Sequence, residues 1–238
     1  MSARIVVAGA SAGLGAALTV AHRERGDRVA AVARRPDRLE LLAACSGPGT
    51  VRPLVLDLSK RTAAKQLVAS LSGGGRVDRF YAVAASRAPT ARRLRDREAY
   101  FRLCFLSWIE IFDQLRTEGL LDEGSTFVVV SSLAAVLPFK ELCEYGAAKA
   151  ALEAWARAMR EDFRGRMVVV RPGQFDSEFF EKRDFSIKDL PHQRAGEILR
   201  DIDRGQLEIV RGGWRDCASS RLVSLIGARR TRRVFLRN

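Results

Sequence analysis

Apolar residues along this chain fall into short Val-rich runs, separated by longer stretches in which they recur every three or four positions. The runs Arg4–Ala8, Arg28–Ala33, Val51–Leu56, Arg79–Ala84, Ser125–Ser131 and Met167–Arg171 read as strands, and several are apolar without a break, as in strands covered on both faces. Between them Gly15–Arg25, Thr62–Leu71, Arg97–Glu118 and Glu144–Arg164 read as amphipathic helices. Strands alternating with helices at this spacing imply βαβ units and a parallel sheet. Right-handed crossovers then give a doubly wound, mostly parallel open sheet flanked by helices, a Rossmann fold with its ligand at the carboxyl ends of the strands. There is no internal repeat, and Ser72-Gly73-Gly74-Gly75 is loop length, so 1–238 reads as one domain.

Composition narrows the class without changing that picture. The chain has 238 residues, 47% hydrophobic and 29% charged, which is too apolar for a disordered protein and long enough to bury a core unaided. Cys45, Cys104, Cys143 and Cys217 are scattered, with no CxxC pair and no His at metal-ligand spacing. They read as reduced cysteines in a cytoplasmic protein with no metal site. Neither a signal peptide nor a membrane-length apolar run is legible. The net charge of +13, mostly arginine spread along the chain, favours anionic ligands such as phosphates. No recognition motif for nucleic acid accompanies it.

The first run leads straight into Gly9-Ala10-Ser11-Ala12-Gly13-Leu14-Gly15, and a helix follows. A dinucleotide pyrophosphate needs backbone N–H groups at a helix N-terminus with no side chain in the way. Gly9 permits the tight turn, Gly13 the close approach and Gly15 the packing of helix on strand. An ordinary strand-to-helix turn also uses glycine, but this placement between strand and helix favours the binding reading.

The spacing Gly-x3-Gly-x-Gly resembles the glycine motif of the short-chain dehydrogenases/reductases, with Ala8 where the family usually has Thr. At the end of the second strand an NAD enzyme would place an acid. This chain has Val32-Ala33-Arg34-Arg35, with no carboxylate until Asp37. A guanidinium there pairs with a 2′-phosphate in bidentate fashion, so NADP(H) is expected over NAD. By position the resemblance also implies cofactor contacts from Ser11, Leu14, Asp57 (at the adenine ring), Leu58 and Ala84.

Further on stand Ser131-Ser132 and Tyr145-Gly146-Ala147-Ala148-Lys149. Tyr145 and Lys149 are four apart at a helix start and share a face. An ammonium beside a phenol favours the phenolate and lowers the Tyr pKa, which makes Tyr145 a general acid or base for a carbonyl or alcohol oxygen. Ser132 ends the fifth strand thirteen residues earlier (145 − 132), and its hydroxyl can hold the same oxygen. Tyr-x3-Lys alone is a common helical pairing. In this order it is similar to the catalytic Ser, Tyr and Lys of the short-chain dehydrogenases/reductases, a resemblance running from about Ile5 to Ser177. It implies that Ser132 orients the substrate, Tyr145 transfers the proton, and Lys149 also contacts the nicotinamide ribose, as Tyr145 does. Pro172, Gly173 and Ser177 resemble the family's Pro-Gly segment beside the nicotinamide, with Ser in place of Thr.

Two family features are missing. Ala82-Val83-Ala84-Ala85 replaces Asn-Asn-Ala-Gly, and the catalytic Asn expected 28 residues before Ser132 falls on Cys104 (132 − 104). Cysteine is a weak hydrogen-bonding partner, so the family's water relay to Lys is in question.

The substrate loop implied by the family, 176–195, mixes Phe179, Phe180, Phe185, Ile187 and Leu190 with Lys182, Arg183 and Lys188. That mixture suits an apolar substrate with an anionic group or carrier, or a lid that packs on the protein itself. The tail 220–238 is basic and amphipathic, suited to a membrane surface, an acidic carrier or a covering helix. His192 has no identifiable partner and reads as a helix-start residue. The apolar helix Tyr100–Leu115 is richer than one buried face requires, and in the family it and the Tyr145 helix form interfaces, so a homodimer or homotetramer is expected. The expected function is NADPH-dependent interconversion of a carbonyl and an alcohol on a small or carrier-bound metabolite. The alternatives are a non-redox role on the same site (cyclase, dehydratase or epimerase) and a cofactor-binding regulator without turnover.

Overall fold

A computed structural model describes residues 2–86, 94–137, 139–173 and 190–211. Seven parallel strands form one sheet in the order β3-β2-β1-β4-β5-β6-β7. They are β1 Arg4–Ala8, β2 Arg28–Ala33, β3 Thr50–Val55, β4 Arg79–Ala82, β5 Thr126–Val130, β6 Arg166–Arg171 and β7 Glu208–Val210. The helices are α1 Gly13–Glu24, α2 Pro36–Ala44, α3 Ala63–Leu71, α4 Leu94–Phe101, α5 Ser107–Thr117, α6 Cys143–Ala158 and α7 Pro191–Asp203. The order reverses beside β1, where the chain crosses from one half of the sheet to the other. In such sheets that switch point is where a crevice opens at the carboxyl ends.

Alternation along the strands sorts the core into two layers. Ile5 and Val7 face α1, α2 and α7 through Leu14, Leu18, Leu39 and Ile198. Val6, Phe80 and Phe127 face α3, α5 and α6 through Leu67, Trp108, Phe112 and Leu152. Phe80 stacks on Phe127 across β4 and β5 at 4.8 Å between ring centres, and Phe112 meets Phe127 edge-on at 5.1 Å. Each such ring contributes roughly 1.5–3 kcal/mol through its burial. β3 lies at the sheet edge, where Pro53 opposite Ala31 costs no ladder bond to a second neighbour.

β1 and β2 have the bounds expected from sequence, and the other strands shift by a residue or two. Three elements were not expected. α7 buries Ala195, Ile198, Leu199 and Ile202 at helical spacing, among charges that disguise it. α2 buries only Leu39, and β7 is three residues long. The single helix expected over Arg97–Glu118 is α4 and α5 joined by a π-helical turn, Arg102–Leu106. Ala84, expected at a strand end, lies beyond β4, and its N–H donates to the Ala8 carbonyl at 2.8 Å. Most of loop 176–195, with Ser177, and all of tail 220–238 lie outside the described residues. Among those described, no helix is long and apolar enough to cross a membrane, and no three His, Cys, Asp or Glu cluster at metal-binding distance.

The amino end of the sheet is closed by a chain of paired polar groups. His22 Nδ1 lies 2.7 Å from Asp27 Oδ2, and His22 Nε2 lies 2.9 Å from the Tyr81 hydroxyl. Burial pushes the His22 pKa down, against the pull of Asp27. The neutral ring therefore donates from Nδ1 and accepts the Tyr81 O–H at Nε2. Arg79 donates to the Tyr81 oxygen at 3.3 Å and to Asp203 at 3.0 Å, and Arg25 donates to Asp203 at 2.8 Å.

Candidate active site

At the carboxyl end the strands open on a cleft of about 420 Å³. Its first wall is the turn between β1 and α1. Gly9 has φ +111, and a Cβ there would lie 2.5 Å from the Ala84 nitrogen, so only glycine fits. A Cβ on Gly15 would lie 2.0 Å from the Gly9 carbonyl oxygen, so its bareness lets α1 fold back onto the turn. The Gly9 and Ala10 N–H groups both donate to the Val32 carbonyl, which pins the turn to β2. α1 starts at Gly13 behind Ala12, which offers no side-chain cap, and its first turn has no acid. Its leading N–H groups are therefore left for an anion. Gly9, Ser11, Gly13 and Leu14 line the cleft; Gly15 lies behind them.

Arg34 and Arg35 line the next wall. Arg35 reaches back to the glycine turn, donating from Nε and Nη2 to Ser11 Oγ at 3.2 and 3.0 Å. Leu58 and Ala84 also face the cleft, whereas Asp57 is set back from it. The Asp57 carboxylate accepts the Ser59 N–H at 3.0 Å and its hydroxyl at 2.7 Å. Partial burial works to raise its pKa, but the Ser59 bonds and the Arg34 charge outweigh it and hold it low.

The far wall brings together Ser132, Tyr145, Pro172 and Gly173. Ser132 follows β5, and its Oγ accepts the Ala134 N–H at 3.2 Å. Tyr145, on the first turns of α6, shares the cleft wall with Ser132. Lys149 is buried beneath this wall; its Nζ stands 5.8 Å from the centre of the Tyr145 ring and donates to the Val130 carbonyl at 2.7 Å.

The lowered phenol expected from Lys149 is not what the site shows. Burial pushes the Tyr145 pKa up, Cys104 adds to the rise, and Ser132 only partly offsets them. Lys149 is turned to the Val130 carbonyl, and its own pKa is pushed down by burial. The phenol thus holds its proton, the form of a proton donor.

Sequence reasoning passed over Ser131, and it named Cys104 without placing it. Ser131 lines the cleft, and its buried hydroxyl has no partner among the described residues; the doublet Ser131-Ser132 was the available signal. Cys104, fully buried in the π-helical turn, packs with Tyr100, Tyr145 and Ala148. The substituted Asn position is therefore part of this constellation, and π-helical turns often mark functional sites.

A family profile described as short chain dehydrogenase matches residues 3–186. An uncharacterized oxidoreductase of Myxococcus xanthus is 30% identical over 86% of this chain and 85% of its own length. The NADPH-dependent 1-acyldihydroxyacetone phosphate reductase of Saccharomyces cerevisiae is 30% identical over 79% of this chain and 67% of its own. Among solved structures, a short chain dehydrogenase from Burkholderia cenocepacia in complex with NADP superposes with a TM-score of 0.82 at 20% identity. It covers 100% of this chain and 98% of that one. A short-chain dehydrogenase from Sphingobium yanoikuyae in complex with NADPH gives 0.80 at 18% identity, covering 99% and 97%.

Proposed function

The chain belongs to the short-chain dehydrogenases, and from that premise we propose that it is an NADP(H)-dependent oxidoreductase interconverting a carbonyl and an alcohol. The observation that carries the reading is that Ser132 and Tyr145 stand in one wall of the cleft that the glycine turn opens. The uncapped start of α1 fits a pyrophosphate. Gly9, Ser11, Gly13 and Leu14 hold it, with Gly15 packing the turn from behind. Arg34 takes the 2′-phosphate, and Arg35, braced on Ser11, presents a fixed second cation to it. Leu58 and Ala84 flank the adenosine, with Asp57 set behind them, and Pro172 and Gly173 flank the nicotinamide, to which the family resemblance also assigns Ser177. The similar solved proteins bound to NADP and NADPH support this preference.

The bound dinucleotide supplies or accepts the hydride. The chain's own groups manage the oxygen. Ser132 holds it, with one lone pair already occupied by the Ala134 N–H. Tyr145 gives its proton to the oxygen in reduction and takes it in the reverse direction. Lys149, with its Nζ 5.8 Å from the centre of the Tyr145 ring, stabilises the phenolate that forms, and the family resemblance also assigns it the ribose. A general acid of this kind contributes about 10²–10⁴ in rate. The substrate is a small or carrier-bound metabolite, and an anionic group on it suits the charge of +13.

We place this activity in the cytoplasm, on a single domain that pairs as a homodimer or homotetramer. Leu106, in the π-helical turn before α5, is exposed and offers apolar surface for pairing, whereas α5 buries Trp108, Ile111, Phe112 and Leu115 within the chain. A non-redox reaction on the same site is favoured by one observation, Cys104 at the substituted Asn position. Product formation without NADPH consumption would mark it.

The test is a fluorescence titration with NADPH and NADH, on wild type and Arg34→Ala. Tight NADPH binding that weakens about 10–100-fold in the variant, with NADH unaffected, supports the reading. Absence of binding by either nucleotide rejects it.

A further inference from the structure

α6 carries its ionisable groups in one stripe. Tyr145, Lys149, Glu153 and Arg157 follow at four-residue intervals, each one turn beyond the last on nearly the same face. The first two have roles in the proposed chemistry; the third has none so far. Yet Glu153 is only 2% exposed, and a carboxylate that deep must be paired to stay charged. Arg171 pairs with it in bidentate fashion, donating from Nε at 2.7 Å and from Nη2 at 2.5 Å, and the Arg171 side chain is buried too. Arg157 adds a bond at 3.0 Å.

Stability alone is a poor reason for such a pair, because apolar residues of similar volume are often as stable in its place. Its location gives a better one. Lys149 donates to Val130, the last residue of β5, after which the chain runs into Ser131 and Ser132. Glu153 holds Arg171, the last residue of β6, after which the chain runs into Pro172 and Gly173. Two groups one turn apart on α6 thus peg the helix to two neighbouring strands, each just before it delivers a wall of the cleft.

We propose that Glu153 and Arg171 are a positioning pair for the active site. They fix the Pro172–Gly173 turn relative to Tyr145, and the Glu153 carboxylate is the buried counter-charge of the Lys149 ammonium. Burial works to deprotonate Lys149, while Cys104 and Glu153 work to keep its proton. The groups around Lys149 are few. Cys104 faces it from the π-helical turn, with Tyr100 packed beside that thiol, and Tyr145 stands one turn before it on α6. Arg171 approaches from β6 with its charge matched by Glu153. Glu153, one turn beyond Lys149 on the same face of α6, is the buried carboxylate beside it.

The inference rests on the reading of Tyr145 and Lys149 as catalytic, but its primary test does not. Lysine-labelled full-length chain is titrated by NMR, with the Lys149 signal identified by its loss in Lys149→Met. In Glu153→Gln the Lys149 midpoint is expected about one pH unit or more below that of wild type. Should the uncompensated Arg171 unfold that variant, Glu153→Gln/Arg171→Met carries the test, and its midpoint must still lie below that of wild type. The double variant should also lose at least about tenfold in kcat while its Tm stays within a few degrees. An unchanged Lys149 midpoint overturns the proposal, as does an unchanged kcat in the double variant. A wild-type chain that shows the Lys149 dependence but turns over no carbonyl upholds the pairing and counts against the reductase reading alone.

Discussion

Two buried tyrosines, one at each end of the sheet, divide the molecule into a part that is closed and a part that is open. Tyr81, in β4, is fully buried, and burial pushes its pKa up to about 12. Its oxygen is held between His22 and Arg79, which are held in turn by Asp27 and Asp203. Tyr145 is nearly as buried and is likewise pushed up, but it stands in the wall of a cleft beside Ser132. Beside it Ser131 has a buried hydroxyl with no partner among the described residues, and α1 begins without a side-chain cap. Burial raises both phenols, and the surroundings separate them. A phenol whose neighbours are all satisfied holds elements together, whereas one that faces a cleft is available to a ligand.

The same deletion of one oxygen sharpens that contrast most. Tyr145→Phe should reduce carbonyl turnover about 10³-fold while shifting Tm by no more than a few degrees. Tyr81→Phe should leave turnover near that of wild type at 25 °C and cost about 1–3 kcal/mol in stability, because the His22 nitrogen loses its donor in the interior. Turnover assays and denaturant melts on the two variants check both. Equal stability losses with equal turnover losses would erase the distinction between the two ends.

A smaller effect comes from pH. The folded-state pKa of His22 lies below its unfolded value of 6.5, because burial outweighs Asp27. Between those two pKa values the unfolded chain binds more protons, so stability is full above about pH 6.5 and falls as pH drops toward the folded value. The loss is at most about 1.4 kcal/mol per pH unit. Melts at pH 7.5 and 5.5 should show it in wild type, and His22→Gln should reduce the difference. A pH dependence unchanged by the substitution would remove His22 as its source.

The two ends also differ in how much of them the sequence revealed. Gly9, Gly13 and Gly15 sit within seven residues, and Ser132, Tyr145 and Lys149 within eighteen, so local spacing carried both groups. β1 and β2 were legible because each is an apolar run opened by an arginine. The His22–Tyr81 contact spans 59 residues, and Arg79–Asp203 spans 124, and no local pattern announces pairing at that range. α7 was hidden by Arg194 and Asp201, charged residues that it buries. Glu153 lay in plain view on the Tyr145 and Lys149 stripe, but its partner Arg171 is on a different element. The elevated phenol was missed because four-residue spacing puts Lys149 beside Tyr145 but does not say where the ammonium points. It points to Val130.

The most direct test of the account is hydride transfer itself. Wild-type protein is incubated with NADPH deuterated at the transferring carbon and a panel of ketones and aldehydes, and the alcohols formed are examined by mass spectrometry. The account predicts an alcohol carrying one deuterium at the former carbonyl carbon, formed by wild type and not by Tyr145→Phe. Absence of deuterated alcohol from every carbonyl tried, with NADPH bound, or equal transfer by Tyr145→Phe, would contradict it.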